Sequence, residues 1–231
     1  MTFLFDLADR FRPIMLPLSS LYWFTEDERV ILIFQAIIVA AAVFPIWLLA
    51  QRRLPRALAL VVAFLYLDFI GVQSIVVADF HEMAILPFFL GWLFYFLARK
   101  RWRSYFIVLF LCLSVREHVG LMLATLSFFI FWTFRNFVVA FATFVISLAW
   151  SITAITFVMP SLGQNYYASF VETGDTFGRA VLGYLKNPLF AIESFFTPFE
   201  KVKTLFWSFF SFGFLPLFYI ALAPTILFQF I

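Results

Sequence analysis

Long apolar runs divided by short clusters of charge set the plan of this chain. A helix needs roughly 20 apolar residues to cross a hydrocarbon core of about 30 Å. Five stretches read as crossings on that measure: residues 30–50, 57–77, 83–98, 137–159 and 204–231. The third is short and starts behind an acidic turn, Asp79-Phe80-His81-Glu82. The stretch 105–134 is apolar on both sides of Arg116-Glu117-His118. At about 1.5 Å per residue, the part before Arg116 covers only roughly 16 Å. Either two short helices, 105–115 and 119–134, meet at a charged turn, or one long helix carries these polar groups through its middle. Burying Arg, Glu and His at mid-bilayer costs several kcal/mol, which favours two helices. The expected fold is therefore all-α: a single domain over residues 1–231, forming a polytopic transmembrane helical bundle of about seven spans.

Alternating sides from an outer N-terminus puts Arg52, Arg53, Arg56, Arg99, Lys100, Arg101, Arg103 and Arg135 on one face, with no acidic residue among them. By the positive-inside rule that face is cytoplasmic. Apart from Asp68 inside a span, the acidic residues fall on the opposite face: Asp6, Asp9, Glu26, Asp27, Glu28, Asp79, Glu82, Glu117 and those of the segment 160–203. Within that extracytoplasmic segment Phe177, Val181, Leu182 and Leu185 recur at helical spacing, between an Asp175 N-cap and an Asn187-Pro188 stop. The pattern predicts an interfacial helix of about three turns. Residues 1–29 lack the basic and then apolar pattern of a signal peptide. An outer N-terminus with no earlier crossing, and an apolar run that stops at Ile231 without a charged anchor, give the expectation that the chain is a fragment of a longer protein.

Composition supports a membrane class, multi-pass in the plasma membrane: 65% of residues are hydrophobic and 13% charged, against roughly 25% charged in soluble domains. A water-soluble fold could not hide so much apolar surface. The 37 Phe and 7 Trp suit both lipid contact and the headgroup boundary. Cys112 is alone in an apolar run, so no internal disulfide forms and packing explains it. There is no GxxxxGK[ST], no GxGxxG after a strand, no HExxH and no GxSxG, which argues against cytosolic nucleotide chemistry. The basic clusters flank spans as anchors and do not form a nucleic-acid groove.

Three polar groups stand out in so apolar a chain. Asp79-Phe80-His81-Glu82 gathers two carboxylates and an imidazole, suited to acid/base work or to a divalent cation, although a solvated turn would look the same. Arg116-Glu117-His118 interrupts apolar sequence, where charge is usually kept for a reason. Arg116 could hold a phosphate oxygen by forked hydrogen bonds, and a structural ion pair is the plainer alternative. No ligand spacing names a metal. Asp9, Arg10 and Arg12 form the third group, which would also serve as an interfacial anchor. Asp68 and Gln73 are intramembrane polar groups suited to a hydrogen bond between helices or to lining a cavity.

Ala8-Asp9-Arg10-Phe11-Arg12-Pro13, Phe34-Gln35-Ala36, Asp79-Phe80-His81-Glu82 and Val115-Arg116-Glu117-His118-Val119-Gly120, followed by Asn187-Pro188 and Gly213-Phe214-Leu215-Pro216, carry a resemblance over nearly the whole chain. They resemble a prokaryotic family of polytopic membrane proteins known as a domain of unknown function. That family looks like a remote relative of the GT-C class of glycosyltransferases, which use polyprenyl-phosphate-linked sugars at the outer membrane face. The chain departs from the family at Arg10, usually His, and at Arg116, usually Lys. The resemblance implies a GT-C-like transferase with membrane lipid and a polyprenyl-phosphate-sugar donor as partners. It implies Asp9 or Asp79 as base, His81 and Glu82 as positioning or metal-binding groups, and Arg116 on the phosphate with Arg12, Glu117 and His118. A transporter or permease using Asp68, Gln73 and the Arg116 turn, and a non-catalytic membrane scaffold, are the rival expectations.

Overall fold

The computed structural model describes residues 11–23 and 26–162, with the isolated positions Lys186, Phe199, Val202, Lys203 and Phe206. Asp9 and Arg10 lie outside the described residues, as do the interfacial helix expected near 176–187, apart from Lys186, and the span expected at 204–231, apart from Phe206. Among those described, every regular element is helical. The chain divides into two compact units, one holding residues 12–116 and the other holding residues 1–11 with 117–231.

The first unit opens with a short helix α1 (Met15–Leu18) that tightens into a 3₁₀ turn, Ser19–Trp23. Next comes α2 (Arg29–Ala50), 22 residues long and apolar enough to cross a membrane. Its ladder is disturbed at Ala42, between the segments Arg29–Ala41 and Val43–Ala50. Pro45 explains this, because it has no N–H to return to the Ala41 carbonyl one turn back. Ile31, Gln35 and Val39 recur every fourth residue and form the buried face of α2, while Ile33 and Ile37 are exposed on the other side.

The stretch read as one span at 57–77 divides at Phe69. Helices α3 (Arg56–Asp68) and α4 (Ile70–Val77) are bent by 44° about that residue. Phe69 is extended (φ −62°, ψ 125°), and its ring folds over Gly71, where an added Cβ would stand 2.5 Å from the ring. Both arms are fastened to α2: the Tyr66 hydroxyl donates to the Val39 carbonyl (2.9 Å) and the Gln35 amide donates to the Ile75 carbonyl (2.8 Å).

A 3₁₀ turn, Glu82–Ile85, then leads into α5 (Leu86–Ala98), which is followed by α6 (Trp102–Leu113). Pro87 in the first turn of α5 removes an N–H that would have no partner there in any case. Lys100, at φ 55°, turns the chain between α5 and α6, and the Arg99 guanidinium lies 5.4 Å from the Tyr95 ring centroid. Helix α5 comes close to α2 at Gly91, where an added Cβ would sit 2.7 Å from Pro45 Cγ.

In the second unit α7 (Val119–Phe134) and the 25-residue α8 (Phe137–Ser161) pack along one another as a helical hairpin. Arg135 is left-handed at φ 52° and ends α7, and Asn136 caps α8 by accepting the Val139 N–H at 3.1 Å. A π-helical turn, Ala154–Val158, sits one turn ahead of Pro160, whose ring crowds the Thr156 carbonyl and widens the helix. Helices α2 and α8 are long and apolar enough to span a membrane, and α3 with α4 makes a third candidate if the bent pair counts as one. Helices α6 and α7 are apolar but have 12 and 16 residues, which cover about 18 and 24 Å. The helix is interrupted at 114–118, so 105–134 is not one continuous helix.

Candidate anion site

Within the first unit, the hairpin of α5 and α6 returns the end of α6 to the turn from which α5 starts. That turn begins at His81, whose Nδ1 accepts the Met83 N–H (3.3 Å) and caps the 3₁₀ segment. Glu82 follows, and its side chain is 2% exposed. Arg116, just past the end of α6, places Nη1 3.5 Å from Glu82 Oε1. Arg12 places Nη1 3.3 Å from Glu82 Oε2. One carboxylate thus takes a different guanidinium on each oxygen.

The position of Arg12 follows from the backbone around it. The Ile14 N–H donates to the Ser114 carbonyl at 2.9 Å, which ties the N-terminal strap to the end of α6. Ile14 and Leu18 pack with Ile85, and Phe34, Ile38, Phe80 and Phe89 close around them. This apolar knot holds Arg12 over the Glu82 turn. Withdrawing a carboxylate from water costs several kcal/mol, and two cations with good geometry offset that cost. The arginine side chains are 16% and 17% exposed, so the cluster is solvent-accessible from the cationic side. A guanidinium carries five N–H donors in a planar fork, so it can bond more than one oxyanion.

The other expected residues fall as follows. Asp79 and His81 are exposed on the turn that leads to Glu82. Glu117 and His118 belong to the second unit, where Glu117 is 1% exposed and its Oε1 lies 3.7 Å from His118 Nδ1. Ser151 donates its hydroxyl to the Glu117 carbonyl. Asp68 is exposed beside the break between α3 and α4 and accepts from Gln73 Nε2 at 3.5 Å. No group of three His, Cys, Asp or Glu side chains gathers as a metal site among the described residues.

Sequence reasoning quoted Gln35 for its place in a motif and gave it no task. The structure buries it at 1% exposure, with Oε1 accepting the His81 N–H at 2.8 Å. The signal was present as a lone amide on an apolar span, where a polar group needs a partner.

Residues 2–231 match a family described as "Predicted membrane protein (DUF2079)". The chain belongs to the DUF2079 family. No curated protein and no solved structure matches it. The DUF2079 assignment fits a helical chain with two or three candidate spans, and among the described residues of this DUF2079 chain the buried carboxylates Glu82 and Glu117 sit at helix junctions.

Proposed function

We propose that this DUF2079 chain is a GT-C-like glycosyltransferase that takes a sugar from a polyprenyl-phosphate carrier at the extracytoplasmic face of the plasma membrane. The observation that supports the reading is the Arg12–Glu82–Arg116 cluster, one guanidinium on each oxygen of a buried carboxylate in a chain with few charges. Such a pair suits a phosphate oxygen, because charge-assisted and forked hydrogen bonds from Arg match its geometry. In the transfer, the acceptor oxygen bonds to the anomeric carbon and the bond from that carbon to the phosphate oxygen breaks. The electron pair leaves with the phosphate, and Arg12 and Arg116 stabilise the charge that develops on it. Asp9 or Asp79 takes the acceptor proton. Glu82 has the part of a positioning group, since both its oxygens face arginines. The Glu117–His118 pair is not needed for this reading.

The sidedness rests on seven crossings, with Arg52, Arg53, Arg56, Arg99, Lys100, Arg101, Arg103 and Arg135 held in the cytoplasm. The test is sugar transfer by the full chain in lipid nanodiscs, supplied with polyprenyl-phosphate sugars. Turnover that disappears in Arg116→Ala supports the proposal, and retained turnover in that variant contradicts it.

A second reading has one observation in its favour. The span α3–α4 is broken, with Asp68 and Gln73 bonded across the break, and broken spans with polar residues line substrate paths in transporters. Alternating access would make cysteines placed at Asp68 and Arg116 reactive from both membrane faces, whereas a transferase site reacts from the outer face alone.

A further inference from the structure

We infer that Gln35 is a positioning residue of the anion site: its buried amide fixes the His81–Glu82 turn that holds Arg12 and Arg116, and ties that turn to the second arm of the broken span. The inference rests on the anion-site reading for its functional consequence, and on geometry alone for the positioning.

Gln35 stands in the middle of the buried face of α2, between Ile31 and Val39, with 1% of its surface exposed. An amide in that setting must use its polar atoms or cost the fold their desolvation. Both ends are used, and neither on a close neighbour in sequence. Nε2 donates to the Ile75 carbonyl in α4, 40 residues away, at 2.8 Å. Oε1 accepts the His81 N–H, 46 residues away, also at 2.8 Å. His81 is extended (φ −136°, ψ 123°), so its N–H points out of the local helical ladder and takes its acceptor from another element. The next residue is Glu82. Fixing the His81 backbone therefore fixes where the Glu82 carboxylate leaves the chain, and so where the two guanidiniums meet it.

The amide also joins the clamp to the bend. One arm of the broken span is held to α2 through Tyr66 and Val39, and the other through Gln35 and Ile75. Val39 and Gln35 lie one turn apart on the same face of α2. The Gln35 amide links the α4 arm and the Glu82 turn, bonded to both at once.

The experiment uses the full chain in lipid nanodiscs with polyprenyl phosphate as the probe, comparing wild type, Gln35→Met and Gln35→Glu. Gln35→Met removes both hydrogen bonds at similar volume, and Gln35→Glu retains an oxygen to accept the His81 N–H. Loss of an acceptor for a buried N–H shifts a local equilibrium by roughly tenfold. Gln35→Met is expected to bind the probe about tenfold more weakly at unchanged helicity, and to lose hydrogen-exchange protection in the peptide that contains His81. Gln35→Glu is expected to fall between Gln35→Met and wild type. It also serves as the working variant if Gln35→Met does not fold.

If wild type fails to bind polyprenyl phosphate, the anion-site reading fails, and positioning is then read from the reactivity of Arg12 and Arg116 toward phenylglyoxal. The clamp, once loosened, should expose both arginines to faster modification in Gln35→Met. Wild-type arginine reactivity and wild-type exchange at His81 in the variants would overturn the inference, whatever the binding result.

Discussion

Replacing Glu82 by Gln keeps the shape of the side chain and removes the charge on which two guanidiniums converge. The wild-type carboxylate is 2% exposed and lies 3.3 and 3.5 Å from the two arginine nitrogens. Breaking a fully buried ion pair by removing one partner costs about 3–5 kcal/mol. Two features lower that figure here. The arginines are 16% and 17% exposed, so water can solvate part of the charge left behind. Both also make further interactions and are not stranded. The expected loss is therefore about 2–3 kcal/mol, which for a chain of this size lowers the midpoint by roughly 4–12 °C. Arg12→Ala and Arg116→Ala each leave Glu82 one cation, so each should cost less than Glu82→Gln, about 1–2 kcal/mol. The double variant Arg12→Ala/Glu82→Gln should fall short of the sum of its singles by about 0.5–3 kcal/mol, because the two side chains share one interaction. The assay is thermal unfolding of the purified chain in one detergent, with all variants scanned at one rate. A Glu82→Gln melting curve that overlays wild type, or full additivity in the double variant, would show that the Glu82 carboxylate does not hold the two arginines.

Further outcomes follow from the packing. Gly91→Ala drives a Cβ to 2.7 Å from Pro45 Cγ, a ring atom that cannot rotate away; it should destabilise the chain by about 1–3 kcal/mol in the same melting assay. Gly71→Ala meets the Phe69 ring at 2.5 Å, but that ring can swing aside, so the loss should stay below about 1 kcal/mol and show as an altered bend between α3 and α4. Asn136→Ala removes the side chain that caps α8. It should cost about 1 kcal/mol, while Asn136→Asp restores most of the cap.

The helical class and the membrane setting were legible because they depend on composition and run length, which need no tertiary information. The interruption at Arg116-Glu117-His118 was legible for the same reason: charge inside an apolar run forces either a turn or a costly burial, and the helix ends at Leu113 and restarts at Val119. The break at Phe69 was missed, since apolar residues on both sides of it satisfy a hydropathy reading equally well whether the span is straight or bent. Asp68 and Gly71 marked the place, but a single glycine or aspartate is compatible with a continuous helix.

The ion cluster was half legible. Arg116 and Glu82 were each singled out by local contrast with their surroundings. The pairing of Glu82 with Arg12 joins residues 70 positions apart and is set by the Ile14 to Ser114 backbone bond, which leaves no mark in the local pattern. Arg12 itself reads equally well as an interfacial anchor. Gln35 was harder still, because an amide has no charge to stand out, and its two partners are backbone atoms whose identity no side-chain code specifies.

If Glu82 gathers Arg12 and Arg116 to receive a lipid-borne phosphate, as proposed, the phosphate itself should carry the binding. The most direct test is the affinity of the full chain, in nanodiscs, for polyprenyl phosphate against the uncharged polyprenol of the same chain length. The phosphate should add at least about tenfold in affinity, and Arg116→Ala should remove the difference. Equal affinity for the two lipids in the wild-type chain would contradict it.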